Sequence, residues 1–443
     1  MKRFRLFWAL LLLATLQTAP ILAQGVTYYE VEEYTPTVYM IAVGETLQEY
    51  DPEASRQTVV DDFKKTHRCG FQQSHNPQFI FATRNNRFAL GIGGFVNLRT
   101  SFDFDGAMGN IDFIPYDIPM SKGYANKQRI MMDASTSRVF LKAIINSQTL
   151  GKVQIYTDID FRGGDQFSYI PRLRSAYIKV KGFTVGRDVT TFCDLAAAPQ
   201  TIDFQGPNAY NFAFNEMIRY EHSFLKNRLT VGIAAEMPSV NGTYGENFSP
   251  IYQRVPDGIL YAQYAWGKER MSHIRVSGVV RDMYLHDNVN GENTTQVGWG
   301  VQLSGHIGIT RWVDIYMNGV YGKGITPYIQ DLAGSPYDFG YNPENPEQIQ
   351  TMPMWGWQAA AQVNIIPSRL WLAGGYSQVT LDKHNGYLSD NQYHRGDYIF
   401  GNAFFNLTSN LTLAVEYLHG SRKDMSGVKN SANRFSIMAQ YNF

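Results

Sequence analysis

Eight basic side chains recur through the chain, at Arg99, Arg138, Lys142, Arg162, Arg174, Arg219, Arg275 and Arg281. Among them, residues 191–207 mix apolar side chains with the acids Asp194 and Asp203 and lack the Ser and Asn tracts of a solvent loop. Bases on a wall opposite acids on a loop create a transverse field that orders water and sorts passing ions by sign. The competing reading pairs each base locally, with Asp158, Asp160, Glu221, Glu236 or Asp314, and leaves no collective bias.

Other chemistry is thinner. His419 and Ser421 are two residues apart and share one face of an extended strand. A base within reach of a hydroxyl, oriented by a third group, is what nucleophilic attack on a lipid ester needs, as in an outer-membrane phospholipase. Residues 158–163, Asp-Ile-Asp-Phe-Arg-Gly, begin like a calcium loop, but Arg162 replaces a ligand and no closing Glu follows. The chain has no His-Glu-x-x-His, Walker loop or dinucleotide fingerprint, and Gly91-Ile-Gly93 sits inside a strand pattern. No metal or cofactor is expected. A net charge of zero gives no reason to expect a nucleic-acid partner.

The elements that would carry these groups are strands. Period-2 alternation between turn signals marks sixteen, near 87–104, 136–147, 151–162, 172–181, 183–190, 215–223, 228–236, 257–267, 271–283, 294–306, 311–322, 353–364, 369–380, 396–406, 410–419 and 432–443. Most have the length of a tilted strand crossing a bilayer. Every second connection is short: 147–150, 182, 224–227, 268–270, 307–310, 365–368 and 407–409. Those between are mostly long, at 105–135, 191–214, 237–256, 323–352, 381–395 and 420–431. Such alternation is the mark of periplasmic turns and extracellular loops on a transmembrane barrel with a water-filled lumen. The expected fold is therefore all-β, a 16-stranded antiparallel transmembrane barrel at 87–443, with its third long loop folded inward.

Parity within strands agrees. Val153, Ile155, Thr157, Ile159 and Phe161 share one face, and Gln154, Tyr156, Asp158, Asp160 and Arg162 the other. Charge at mid-strand is costly toward lipid and so belongs toward the lumen. The first five strands alternate less cleanly, notably at Arg172-Leu173-Arg174-Ser175, from either a protomer contact or a slip in register. The last strand puts Phe435, Ile437, Ala439, Tyr441 and Phe443 on one face; alone it could equally edge a soluble sheet.

Lys2, Arg3 and Arg5 precede the apolar run 6–16, and Ala23 stands before Gln24, the layout of a signal peptide at 1–23. Beyond it no apolar run could cross a membrane as a helix. Aromatics at 14% with a slightly negative mean hydropathy of -0.28 suit strands with one lipid and one water face. Cys69 and Cys193 allow one bridge or two lone thiols. Residues 24–86 depart from the barrel pattern, with a short helix expected over 55–67, and read as a periplasmic or partly lumenal extension.

Gly93-Gly94-Phe-Val-Asn-Leu-Arg99, Tyr156-Thr-Asp-Ile-Asp-Phe161, Arg172-Leu-Arg-Ser-Ala-Tyr177 and Val185-Gly-Arg-Asp-Val-Thr-Thr-Phe192 resemble motifs of DcaP-like porins, as does the run Ala198–Pro207. The similarity is good over 87–236 and then loose until the C-terminal strand. Gly186-Arg187 stands where relatives often have Gly-Gln, and Cys193 is unusual for the loop. The resemblance implies a homotrimeric outer-membrane channel of a Gram-negative bacterium, in contact with membrane lipid and lipopolysaccharide, passing dicarboxylates and other small anions. The residues are then read as a passive pore for small hydrophilic solutes, lined by the eight bases and narrowed by the loop bearing Asp194 and Asp203. A binding or adhesion barrel plugged by residues 24–86 is the competing class.

Overall fold

The computed structural model describes residues 37–43, 51–267, 272–342, 344–383 and 387–443. The expected signal peptide, residues 24–36 and the expected turn at 268–270 lie outside these. Sixteen strands form the barrel: β1 (Phe88–Asp105), β2 (Arg138–Ser147), β3 (Gly151–Asp160), β4 (Arg172–Val180), β5 (Phe183–Val189), β6 (Phe214–Phe224), β7 (Leu229–Glu236) and β8 (Asp257–Trp266), then β9 (Ser272–Asp287), β10 (Glu292–Thr310), β11 (Val313–Lys323), β12 (Pro353–Ile366), β13 (Leu370–Leu381), β14 (Tyr393–Asn406), β15 (Leu411–Asp424) and β16 (Lys429–Asn442). Each pairs antiparallel with the next, and β16 closes on β1 from Asn442↔Phe95 to Asn433↔Asp105.

Side chains alternate as the sequence pattern requires. Leu98, Leu141, Ile178, Ile218, Leu260 and Val301 point outward and are exposed, an apolar band for lipid. Their neighbours Arg99, Lys142, Tyr177, Arg219, Tyr261 and Gln302 point inward and are buried. The irregularity at Arg174-Ser175 is a β-bulge: the register between β3 and β4 shifts after Asp158, and both side chains are buried inside the barrel.

One expectation is corrected at the loop end. Residues 420–431 are not a long loop; β15 and β16 stay paired up to Lys423↔Lys429, joined by a tight turn. Both faces are polar there, so no alternation marks the strands, but water beyond the membrane lets the pairing continue. The hairpin of β9 and β10 likewise runs to Asp287↔Glu292, where Asp287 caps the turn through the N–H groups of Val289 and Asn290.

Residues 51–86 pack against and into the barrel. The helix α1 (Pro52–Lys65) starts at Asp51, whose carboxylate accepts the N–H of Glu53 (3.0 Å) and Ala54 (3.2 Å). Val59 and Phe63 bury against Ile80, Ala82, Ala89 and Ile144. The inward Lys142 donates to the helix's terminal carbonyls, Thr66 O at 2.9 Å, where a cation best meets the dipole. The strand Phe79–Thr83 then pairs with β1 at Ala89–Ile92, continuing the edge where β16 ends.

Gly186 has φ +134°, and a Cβ there would lie 2.2 Å from the Ala176 carbonyl oxygen of β4. Gly186→Ala is expected to lower barrel stability by about 1–3 kcal/mol through strained backbone and to weaken the β4–β5 pairing. Urea unfolding of the detergent-folded protein measures this, and an unchanged midpoint would contradict it.

Candidate functional site

The third loop, 190–213, crosses the lumen on side-chain tethers to the far wall. Glu416 of β15 accepts the backbone N–H of Ile202 (3.0 Å) and Asp203 (2.8 Å). Ser377 of β13 accepts Ala209 N–H at 3.0 Å, Gln358 of β12 donates to Ala197 O at 2.9 Å, and Asn402 of β14 donates to Gln200 O at 3.0 Å. A loop inside a cylinder must find partners for its backbone, and inward polar positions of β12, β13, β14 and β15 supply them on the far wall.

Asp194 and Asp203 are both in this anchorage. Asp194 Oδ2 meets His273 Nε2 at 2.9 Å and accepts the Ser304 hydroxyl at 2.8 Å. Asp203 accepts Phe113 N–H (3.0 Å), Gly206 N–H (3.1 Å) and the Tyr398 hydroxyl (3.1 Å), so it ties the first loop to the third. Asp331, in the loop after β11, repeats the device with Tyr116 N–H (3.1 Å), Asn208 Nδ2 (3.2 Å) and the Tyr393 hydroxyl (2.6 Å). Three loops therefore meet in one buried knot. Burial, with the nearby Asp112 carboxylate, pushes Asp203 up to about 6. Burial pushes Asp331 up to about 6 as well.

All eight sequence-predicted bases are on or beside the inner wall, most with acidic partners. Arg99 meets Asp133 (2.9 Å) and Asp112 (3.6 Å), and Arg162 meets Asp112 at 2.5 Å. Arg138 lies 3.6 Å from Asp158; Arg174 lies 3.5 Å from Asp158 and 3.1 Å from Asp160. Arg219 joins Asp188 (2.9 Å) and Glu221 (3.7 Å), and Arg281 is held between Asp257 (3.1 Å) and Asp338 (2.9 Å). Arg275 instead donates to the Thr191 carbonyl and lies 3.6 Å over the Tyr261 ring, while Lys142 caps α1. Local pairing, the bland alternative, thus describes most of these bases.

The extension supplies contacts that strand parity could not signal. Arg68 meets Asp188 at 2.6 Å, Arg138 donates to Gln72 O at 2.6 Å, and Phe71 N–H donates to Leu195 O at 2.7 Å. Residues 68–75 thus lie in the lumen against the third loop. Phe204, at that loop's tip, was also invisible to charge-based reading. Four guanidinium groups surround its ring, Arg162 at 4.4 Å, Arg174 at 5.3 Å, Arg172 at 5.9 Å and Arg99 at 6.0 Å. A lone Phe between Asp and Gln in an inward loop was the available signal.

Two cavities flank this tip. The outer, about 590 Å³, is lined by loop-end residues including Asp117, Asp133, Arg162 and Asp165. The inner, about 170 Å³, is lined by Arg99, Arg138, Gln200, Phe204, Trp371 and Gln440 among others, with no carboxylate among them. Among the residues that line it, Asn97 Oδ1, Arg99 Nε and Thr136 Oγ1 have no hydrogen-bond partner among the described residues, while Arg138 Nε faces Asp158 at 3.6 Å. The Arg99–Asp133 pair and Phe204 stand between the two.

The remaining chemical candidates are placed as follows. Ser421 Oγ donates to Asp397 (2.8 Å) and His419 Nδ1 meets Asn433 Oδ1 (2.8 Å), so the hydroxyl is turned to a carboxylate rather than the imidazole. Asp158 and Asp160 are strand residues engaged by arginines. Cys69 and Cys193 are not bridged to each other, and burial pushes the Cys193 thiol up to about 12.

Residues 80–326 match the family model of the DcaP outer membrane protein. Among solved structures, the outer membrane channel DcaP of Acinetobacter baumannii aligns with TM-score 0.69 at 19% identity, covering 80% of this chain and 97% of that one. A loop-deletion form of OmpT, an outer membrane protein of Vibrio cholerae, aligns with TM-score 0.50 at 12% identity, covering 81% and 100%. No curated protein matches the chain.

The raised Asp203 and Asp331 carboxyls make the loop knot pH-sensitive. A folded-state value above the unfolded one contributes stability that is complete below about pH 4 and lost as pH rises through about 6. Amide exchange over 190–213, corrected for intrinsic rate, is expected to be slower at pH 5 than at pH 7.5. The difference should shrink in Asp203→Asn combined with Asp331→Asn; equal protection at both pH values in the parent protein would refute the assignment.

Proposed function

The chain belongs to the DcaP outer membrane protein family, and from that premise we propose that it is a passive diffusion channel for small hydrophilic solutes, with a leaning toward anions such as dicarboxylates. The protein resides in the outer membrane of a Gram-negative bacterium. The observation that carries the reading is the pair of cavities on either side of the Arg99–Asp133 contact and Phe204. A solute entering from the loop end would meet Arg162 in the outer cavity, pass the tip of the third loop, and reach Arg99 and Arg138 in the inner one. Most wall bases are paired, Arg99 and Arg138 among them, so the anion preference rests on the inner cavity, whose lining includes those two guanidinium groups while their partners Asp133, Asp112 and Asp158 lie outside it.

The segment within 66–78 narrows the route at the inner end, since Gln72, Gln73 and His75 line the inner cavity. That observation also favours a second reading, a plugged barrel that binds at its surface. Removal of residues 1–23 on export, assembly as a homotrimer and contact with lipopolysaccharide complete the proposal.

Purified protein in planar bilayers should give stepwise currents with a reversal potential of anion-selective sign in a salt gradient. Arg99→Gln with Arg138→Gln should move that potential toward cation selectivity, and deleting residues 24–78 should raise conductance severalfold. Cation selectivity in the parent would remove the anion part. Silence in the parent, with large currents only after the deletion, would favour the plug.

A further inference from the structure

Three bases stand side by side on the outer face of the barrel near its loop end. Arg395 of β14 is directly opposite Lys423 of β15, and Lys423 is directly opposite Lys429 of β16. Their outward direction follows from what points in. Gly396 has its Cβ direction against Asp331 and Tyr393, and Arg422 donates to the Tyr116 carbonyl inside. Directly opposed strand residues lie about 4.5–5.5 Å apart at Cα, and like charges so placed repel.

The internal compensation is incomplete. Asp397 takes Arg395 at 2.7 Å and Lys429 at 3.7 Å, but it also accepts the hydroxyls of Tyr376 (2.7 Å) and Ser421 (2.8 Å). Asp424, next to Lys423, is committed to the turn through Ser426 Oγ (2.6 Å) and Val428 N–H (3.0 Å). Among the described residues Lys423 forms no salt bridge. Three cations and one shared carboxylate leave the row about two charges positive. Nearer mid-membrane, Ile399, Tyr417 and Phe435 are exposed outward. Arg395 is four residues from Ile399, about 13 Å along the strand, which places the row at headgroup height above lipid-facing apolar side chains.

Resting on the lipopolysaccharide contact of the proposed function, we propose that Arg395, Lys423 and Lys429 form a binding site for the phosphate of a lipid headgroup in the leaflet at the loop end, its acyl chains lying along the Ile399–Tyr417–Phe435 surface. A phosphate fits because its several oxygens can accept the Arg395 fork and two ammonium groups at once. The charge that the row lacks is supplied by the membrane.

The test uses the full-length protein in detergent, titrated with bisphosphorylated lipid A and read by native mass spectrometry. Near a membrane surface each base contributes about fivefold to binding an anionic lipid, so R395Q/K423Q/K429Q should bind about a hundredfold more weakly. K181Q/K226Q, which neutralises two bases at the opposite rim, should bind like the parent. Dephosphorylated lipid A should bind the parent no better than it binds the triple variant. Equal binding of both lipids by the parent, unchanged binding by the triple variant, or full displacement by equimolar inorganic phosphate would overturn the assignment. Loss of oligomer in the triple variant with lipid binding intact would identify the row as a protein contact and overturn it equally.

Discussion

Backbone amides in hydrocarbon have no water to turn to, so a sheet that crosses a membrane must leave no open edge. Here that requirement is met by the β16–β1 pairing, with Gly94 and Phe443 exchanging backbone hydrogen bonds at its end. Closure decides where charge can go. Side chains alternate along most of each strand, so a base or acid within the membrane's thickness enters the lumen unless, like Arg187 and Glu216 on the outer face of β5 and β6, it meets its opposite charge directly, at 2.6 Å. The concentration of arginine and aspartate inside is thus a consequence of closing the sheet before it is a device for selectivity.

Closure also creates a space that loops can enter only if their backbones are satisfied there. The third loop meets that condition with Glu416, Ser377, Gln358 and Asn402 on the far wall. Once the loops are in, the wall charges lose water and must pair, which is why Arg174 and Arg281 are buried between carboxylates. Buried pairs of this kind contribute little net stability, because desolvation offsets their attraction, yet removing one partner is costly. Their effect is to hold loops in one position. The cavities on either side of Phe204 are bounded by that network.

The barrel was legible because its signals are local: period-2 alternation and the rhythm of short and long connections need no knowledge of distant contacts. All sixteen strands follow from it, and the errors fall where the physical cause of alternation stops, as at residues 420–431 beyond the membrane. The acids of the third loop were also legible, but their partners were not. Asp194 meets His273, and Asp203 meets backbone N–H groups and Tyr398, pairings that depend on how the loop enters the lumen. Phe204 and Arg68 were out of reach for the same reason: one is an apolar residue whose role is to stack under guanidinium groups, the other belongs to a segment with no strand pattern.

The inner and outer faces deal with positive charge in opposite ways. Inside, the chain supplies its own carboxylates, because a cation trapped in a filled lumen without a counter-charge is too costly to leave. At the outer rim the penalty is smaller, since headgroups and water screen the charge, and the row of Arg395, Lys423 and Lys429 is left with a single shared aspartate. A row of like charges in register, exposed at the rim, is met by water or by an anion from outside the chain. On the proposed lipid site that anion is a headgroup phosphate, and the same closed sheet that drives arginine inward then presents excess charge just above the apolar band, where the membrane can meet it.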